Sequence, residues 1–161
     1  MKLNYKDVIT LLPHRDPFLF IDSVESISAP KEEIIPGAGI DLKKTIGMEI
    51  IAHYRTKADH PIFAGHFPGN PILPGVVQVE MMAQATSFVI HPMLDDKGSF
   101  NLEVALLSVS DAKFRKPIKP EMDLVIKTVC EKSRGPMLTS RCQIFHQDQL
   151  MSEATVMASI R

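Results

Sequence analysis

The stretch Ala64–Gln84 reads A-G-H-F-P-G-N-P-I-L-P-G-V-V-Q-V-E-M-M-A-Q, and the rest of the 161-residue chain is organised around it. Pro68, Pro71 and Pro74 punctuate its first half. Three fixed φ angles at that spacing predict an extended, polyproline-like path, stiff enough to hold His66 in one place. After Pro74 the pattern changes. From Gly75 to His91 there is no proline, and apolar side chains (Val77, Val79, Met81, Met82, Phe88 and Val89 among them) point all round a helical axis. A helix apolar on every side is predicted to be buried.

Glu80 is the lone acid on that helix. Desolvation penalises a buried carboxylate, so burial is expected to push its pKa up and let it hold a proton near neutral pH. Gln84 and Ser87 follow at one-turn intervals and make a narrow polar line with it. A neutral carboxyl suits a general acid. A histidine held nearby, with an ordinary pKa of about 6.5, suits the base. Gly75, at the helix start, offers a backbone N–H that lacks an intrahelical acceptor and sits at the positive end of the helix dipole. Taken singly, His66 and Glu80 are more often structural than catalytic. Together with Gly75 they fit proton abstraction beside a carbonyl, coupled to loss of a β-substituent.

Working outward, the composition is that of an ordinary globular chain, 45% hydrophobic and 23% charged, and one domain over residues 1–161 is expected. A net charge of −1 gives no global field that would favour nucleic acid or an anionic membrane. No apolar run approaches the ~20 residues of a membrane span. Cys130 and Cys142 lie in strand-like stretches and are predicted to be core thiols rather than a disulfide, which agrees with a reducing cytoplasm. His53 and His60 precede His66, but their spacing matches no zinc pattern and no cysteine is close; no metal is predicted.

In chain order, Asn4 is the expected N-cap of a short helix that Pro13 stops. Phe18–Ile27 reads as a strand with little polarity on either face. The segment from Pro30 to Thr45 is loop-like, and Gly47–Thr56 reads as the next strand, with Met48, Ile50 and Ala52 on one face. Beyond the long helix, four further strands are expected, roughly at Phe100–Ser110, Asp123–Lys132, Met137–Phe145 and Gln149–Ser159. Gly135-Pro136 and Gln147-Asp148 mark two of the turns. A long helix followed by a run of strands is an α+β pattern.

Three blocks carry a family resemblance. His66–Gln84 resembles the signature of the FabZ-type (3R)-3-hydroxyacyl-acyl-carrier-protein dehydratases. L-L-P-H-R-D-P-F-L-F-I-D (Leu11–Asp22) is similar to that family's first block, and A-K-F-R-K-P-I-K-P-E-M-D (Ala112–Asp123) to the block after its helix. The resemblance implies a hot-dog fold, an antiparallel sheet wrapped around a central helix. It implies His66 and Glu80 as the catalytic pair, drawn from opposite subunits of a dimer, with Gly75 N–H receiving the thioester oxygen and Gln84 in support. It also implies no cofactor beyond the phosphopantetheine arm of an acyl carrier protein, and homodimers standing alone or as trimers of dimers. His14 and Arg15 are typical of the family, without a role that the residues themselves suggest.

Two features depart from it. Ser28–Ile46 is longer than the family's usual spacing and is expected to be an inserted loop or an extended hairpin, with surface decoration as the default. Val104, Ala105, Leu106 and Leu107 stand where aromatic residues often line the acyl tunnel. Lys113, Arg115, Lys116 and Lys119, with Phe114 between them, form a basic run suited to an acidic carrier protein, or equally to a strand edge protected by lysines. Three other readings share the fold. In a FabA-like dehydratase-isomerase the acid resembles an Asp; a thioesterase does not usually carry this His-to-Glu block; a non-catalytic acyl-binding protein has no need of the pair.

Overall fold

The computed structural model describes residues 1–95 and 101–161. Asn4 caps helix α1 (Tyr5–Leu11) through a reciprocal box: its side chain accepts from Lys6 and Asp7 N–H, and Asp7 accepts from the Asn4 N–H. Strand β1 (Ser23–Ile27) is followed by a loop, a 3₁₀ turn at Leu42–Thr45, and strand β2 (Glu49–Arg55). A single-turn helix α2 (Ile62–Gly65) leads to helix α3 (Gly75–Thr86), which continues as a 3₁₀ segment over Ser87–Met93. Strands β3 (Val104–Phe114), β4 (Asp123–Arg134), β5 (Met137–His146) and β6 (Gln149–Ile160) complete the chain. The six strands form one antiparallel sheet in the order β1-β2-β4-β5-β6-β3.

The sheet wraps α3, the element with the apolar circumference. Met81, Met82, Ala85, Phe88, Val89 and Ile90 are fully buried against Ile50, Ala52, Ile126, Ile144 and Val156 from the strands, in one core. Along β4 and β5 buried and half-exposed residues alternate, so one face packs on the helix and the other meets solvent. Gln147 and Asp148, both at positive φ, make the tight turn that sets the β5–β6 register. Met48, Ile50 and Ala52 line the buried face of β2, as their alternation predicts.

Several expectations need correction. β1 starts at Ser23 rather than Phe18, because the backbone of Phe18 and Phe20 is bonded to the Gln84 side chain and not to a neighbouring strand. Pro68, Pro71 and Pro74 do not mark an extended path. Asn70 N–H donates to Phe67 O at 2.9 Å across Pro68-Gly69, with Gly69 at φ 73, the Pro-Gly pairing of a type II turn. Ile72 N–H then closes onto His66 O at 2.8 Å, so the stretch folds back on itself.

Ser28–Ile46 is no hairpin and no mere decoration. Leu42 and Thr45 are buried, and Gly37 N–H donates to Met93 O, tying the loop to the far end of the central helix. β3 begins four residues later than expected, and Phe100 of the expected strand lies outside the described residues. Cys130 and Cys142 are free, buried thiols, and burial pushes the Cys142 thiol up to about 12.

Candidate active site

His66 caps the C-terminus of α2 and sits half-buried in the turn just described. Its Nδ1 lies 2.8 Å from the carbonyl of Ile72. A carbonyl only accepts, so Nδ1 carries the hydrogen, and in the neutral ring the lone pair is on Nε2. The Phe67 ring stacks on the imidazole with centroids 4.0 Å apart, fixing its plane. The loop thus fixes Nε2 as the nitrogen that can act as a base.

Gly75 opens α3 directly after Pro74, and no side chain caps that helix end. A Cβ at Gly75 would stand 2.8 Å from Cζ of Phe114, so the aromatic ring of β3 rests on the glycine itself. Only a residue without a side chain permits that approach while leaving the helix-terminal N–H in place.

Glu80 lies in the second turn of α3, with its side chain 21% exposed. Gln84, one turn on and buried, is bonded at both ends of its amide. Phe20 N–H donates to Gln84 Oε1 at 2.8 Å, while Gln84 Nε2 donates to Phe18 O at 3.0 Å and to Glu80 Oε1 at 2.9 Å. The backbone N–H of Phe20 fixes which end of the amide is oxygen. His14 approaches from the loop after α1, its Nε2 3.2 Å from the same Glu80 Oε1.

These contacts reverse one expectation. His14 first, helped by Gln84, outweighs the partial burial and holds the Glu80 carboxyl below the usual carboxylate range. The single chain therefore keeps Glu80 charged rather than protonated. His14 is the residue that sequence reasoning missed. Its motif is visible in Leu11–Asp22, but nothing local relates position 14 to position 80. Among the described residues no hydrogen bond or ion pair joins His66 to Glu80.

The remaining candidates are elsewhere. Lys113, Arg115, Lys116 and Lys119 are exposed at and beyond the end of β3, and Arg115 pairs with Glu153 at 3.1 Å. His60 is engaged at both ring nitrogens, with Pro17 O and Ile62 N–H, and His53 pairs with Glu25. Among the described residues no three of His, Cys, Asp and Glu gather as a metal site.

A sheet wrapped on a central helix that bears a carboxylate is the arrangement of the hot-dog class. Comparison with known proteins narrows this. Residues 42–154 match the family model described as ApeI-like, ApeI dehydratase. The chain is 35% identical over 159 residues to the 3-hydroxyacyl-[acyl-carrier-protein] dehydratase FabZ of Anaplasma phagocytophilum, covering 98% of this chain and 97% of that protein. Among solved structures it is similar to the dehydratase heterocomplex ApeI:P from Xenorhabdus doucetiae, with a TM-score of 0.68 and 14% identity over 96% of this chain and 90% of that one. It is also similar to a hot-dog-like protein from Thermanaerovibrio acidaminovorans, with a TM-score of 0.58 and 8% identity over 76% and 88%. The chain belongs to the hot-dog dehydratase family of FabZ-type and ApeI-like proteins.

Proposed function

We propose that the chain dehydrates a (3R)-3-hydroxyacyl thioester, carried on the phosphopantetheine of an acyl carrier protein, to the trans-2-enoyl thioester in fatty acid biosynthesis. The observation that carries this reading is the wiring of His66. With Nδ1–H bonded to Ile72 O, its Nε2 is free to take a proton. On this reading the thioester oxygen accepts the Gly75 N–H, which acidifies the α-carbon and stabilises the enolate-like transition state. The C2–H proton passes to His66 Nε2, the electron pair forms the C2–C3 double bond, and the C3–O bond breaks. Glu80 supplies the proton with which the hydroxyl leaves as water. His66 and Glu80 then exchange their protons with solvent to reset. No cofactor of the enzyme's own takes part.

The acid role requires Glu80 to be protonated in the assembled site. Burial by the bound acyl chain removes its remaining water and raises its pKa toward that state. A second copy is supported by β3, an 11-residue edge strand on which Leu106, Leu107, Val109 and Phe114 are 41–51% exposed. An apolar edge of that length is ordinarily paired or covered. We therefore assign a homodimer, alone or in a trimer of dimers, whose active sites combine His66 of one chain with Glu80 of the other.

Lys113, Arg115, Lys116 and Lys119 form the proposed docking surface for the acidic carrier protein. They flank Phe114, the ring resting on Gly75, so a docked carrier would deliver its arm beside the proposed oxyanion donor. A cytoplasmic setting agrees with two buried, unpaired cysteines.

The test is hydration of a crotonyl thioester and dehydration of its 3-hydroxybutyryl partner, followed by absorbance. Wild type should turn over, and His66→Ala or Glu80→Gln should each lower kcat between about 100- and 10,000-fold. A wild type silent on both carrier-bound and short substrates would remove the reading.

A further inference from the structure

We propose that His14 is a positioning residue for Glu80: its Nε2–H engages Oε1, so that Oε2 is the oxygen presented to the reacting hydroxyl. The proposal rests on the reading of Glu80 as the acid and adds which atom acts and what holds it there.

The geometry fixes the roles one atom at a time. Phe20 N–H, a donor that cannot be reversed, occupies Gln84 Oε1 and turns the Gln84 NH₂ toward Glu80. Glu80 Oε1 must therefore accept, and a proton on the carboxyl belongs on Oε2. Because Oε1 already accepts from Gln84, the His14 Nε2 beside it at 3.2 Å must bring a hydrogen of its own. The other ring nitrogen, Nδ1, is buried with no partner. In the Nε2–H tautomer that position is a lone pair that accepts no hydrogen bond. His14 is thus a one-sided donor, through Nε2 alone.

Its backbone is correspondingly braced. Arg15 Nη1 donates to Leu12 O at 2.8 Å and to His14 O at 2.6 Å, and Nη2 donates to Ile9 O at 2.9 Å. These bonds cap α1, whose Val8 and Leu11 are buried in the core, so His14 reaches Glu80 from a rigid support. Gln84 grips the carboxylate from its own helix and ties it to Phe18 and Phe20. Two donors from two elements on one oxygen leave the carboxyl a single orientation.

The test is a set of His14 variants assayed as whole chains on the 3-hydroxybutyryl thioester. His14→Ala should lower kcat between about 10- and 100-fold while KM stays within about twofold, as loss of orientation does. His14→Gln should recover most of that loss, because its amide nitrogen reaches the ε position. His14→Asn, which reaches only the δ position, should not. In a Glu80→Gln background His14→Ala should cost nothing further, since a residue acting through Glu80 has nothing left to orient. Equal activity of the Gln and Asn variants, an unchanged kcat in His14→Ala, or the same fold-loss in the Glu80→Gln background would each overturn the proposal. Wild-type turnover by Glu80→Gln would remove the acid assignment and this proposal with it. A crippled Glu80→Gln beside an unaffected His14→Ala would overturn the role of His14 alone.

Discussion

His14 and His66 are wired in opposite senses. His66 spends Nδ1 on the carbonyl of Ile72 and leaves Nε2 open, whereas His14 points Nε2 at Glu80 and buries Nδ1 without a partner. On the proposed reading one ring takes a proton and the other lends a hydrogen to a carboxylate. The regions around them differ in the same way. The His66 turn is shallow, beside the half-exposed Phe67 ring, while the Glu80 region is tied to two helices and to the entry to β1. Within one chain, then, the proposed acid is fully held by its own neighbours and the proposed base by its own loop, with no bond between them. On the proposed reading each chain carries two half-sites, and the exposed β3 edge is where a second copy would join them.

The largest effects that would break this comparison are the losses given above for His66→Ala and Glu80→Gln, each removing one half-site. Next in size is Gly75→Ala. The new Cβ would meet the Phe114 ring at 2.8 Å, so either the ring or the helix start must move. A drop in kcat of about 100-fold is expected, in the range for a misplaced oxyanion donor. Adding Phe114→Ala in the same chain should recover part of it. If Gly75→Ala turned over like wild type, the proposed thioester contact would be lost.

The smallest effect is on stability, and its sign follows from the depressed carboxyl of Glu80. A carboxyl whose folded-state pKa is below its ordinary value near 4.5 stabilises the fold while charged. That contribution is present above 4.5 and is lost as pH falls through the lower, folded-state value. Urea unfolding between about pH 6 and pH 3 should therefore show a steeper acid loss for wild type than for Glu80→Gln. His14→Ala should fall between them, since it removes the largest of the contacts that favour the charged form. Identical slopes in all three would contradict the wiring described for His14.

What could be read from the sequence was what is local or periodic. The all-round apolar pattern after Pro74 placed α3 at the core, and alternation with Gln147-Asp148 between runs placed β5 and β6. His66, Gly75 and Glu80 stand out as candidates because they share one short stretch. What was missed is non-local. The partner of Glu80 comes from a loop far away in the chain, so the sequence predicted a carboxyl raised by burial where contact with His14 lowers it. The same cause moved the start of β1, because Gln84 claims backbone groups that a strand pattern assigns to a neighbour. The proline spacing misled because Pro68-Gly69 is a turn dipeptide before it is part of a ladder.

Complementation tests the joined half-sites most directly. His66→Ala and Glu80→Gln chains, each inactive alone, are mixed, dissociated and allowed to reassociate. If the pair is assembled across a two-fold interface, half of the dimers are mixed and each of those holds one intact site, so about a quarter of wild-type activity should return. A mixture that stays as inactive as its two parents, although mixed dimers have formed, would contradict the account.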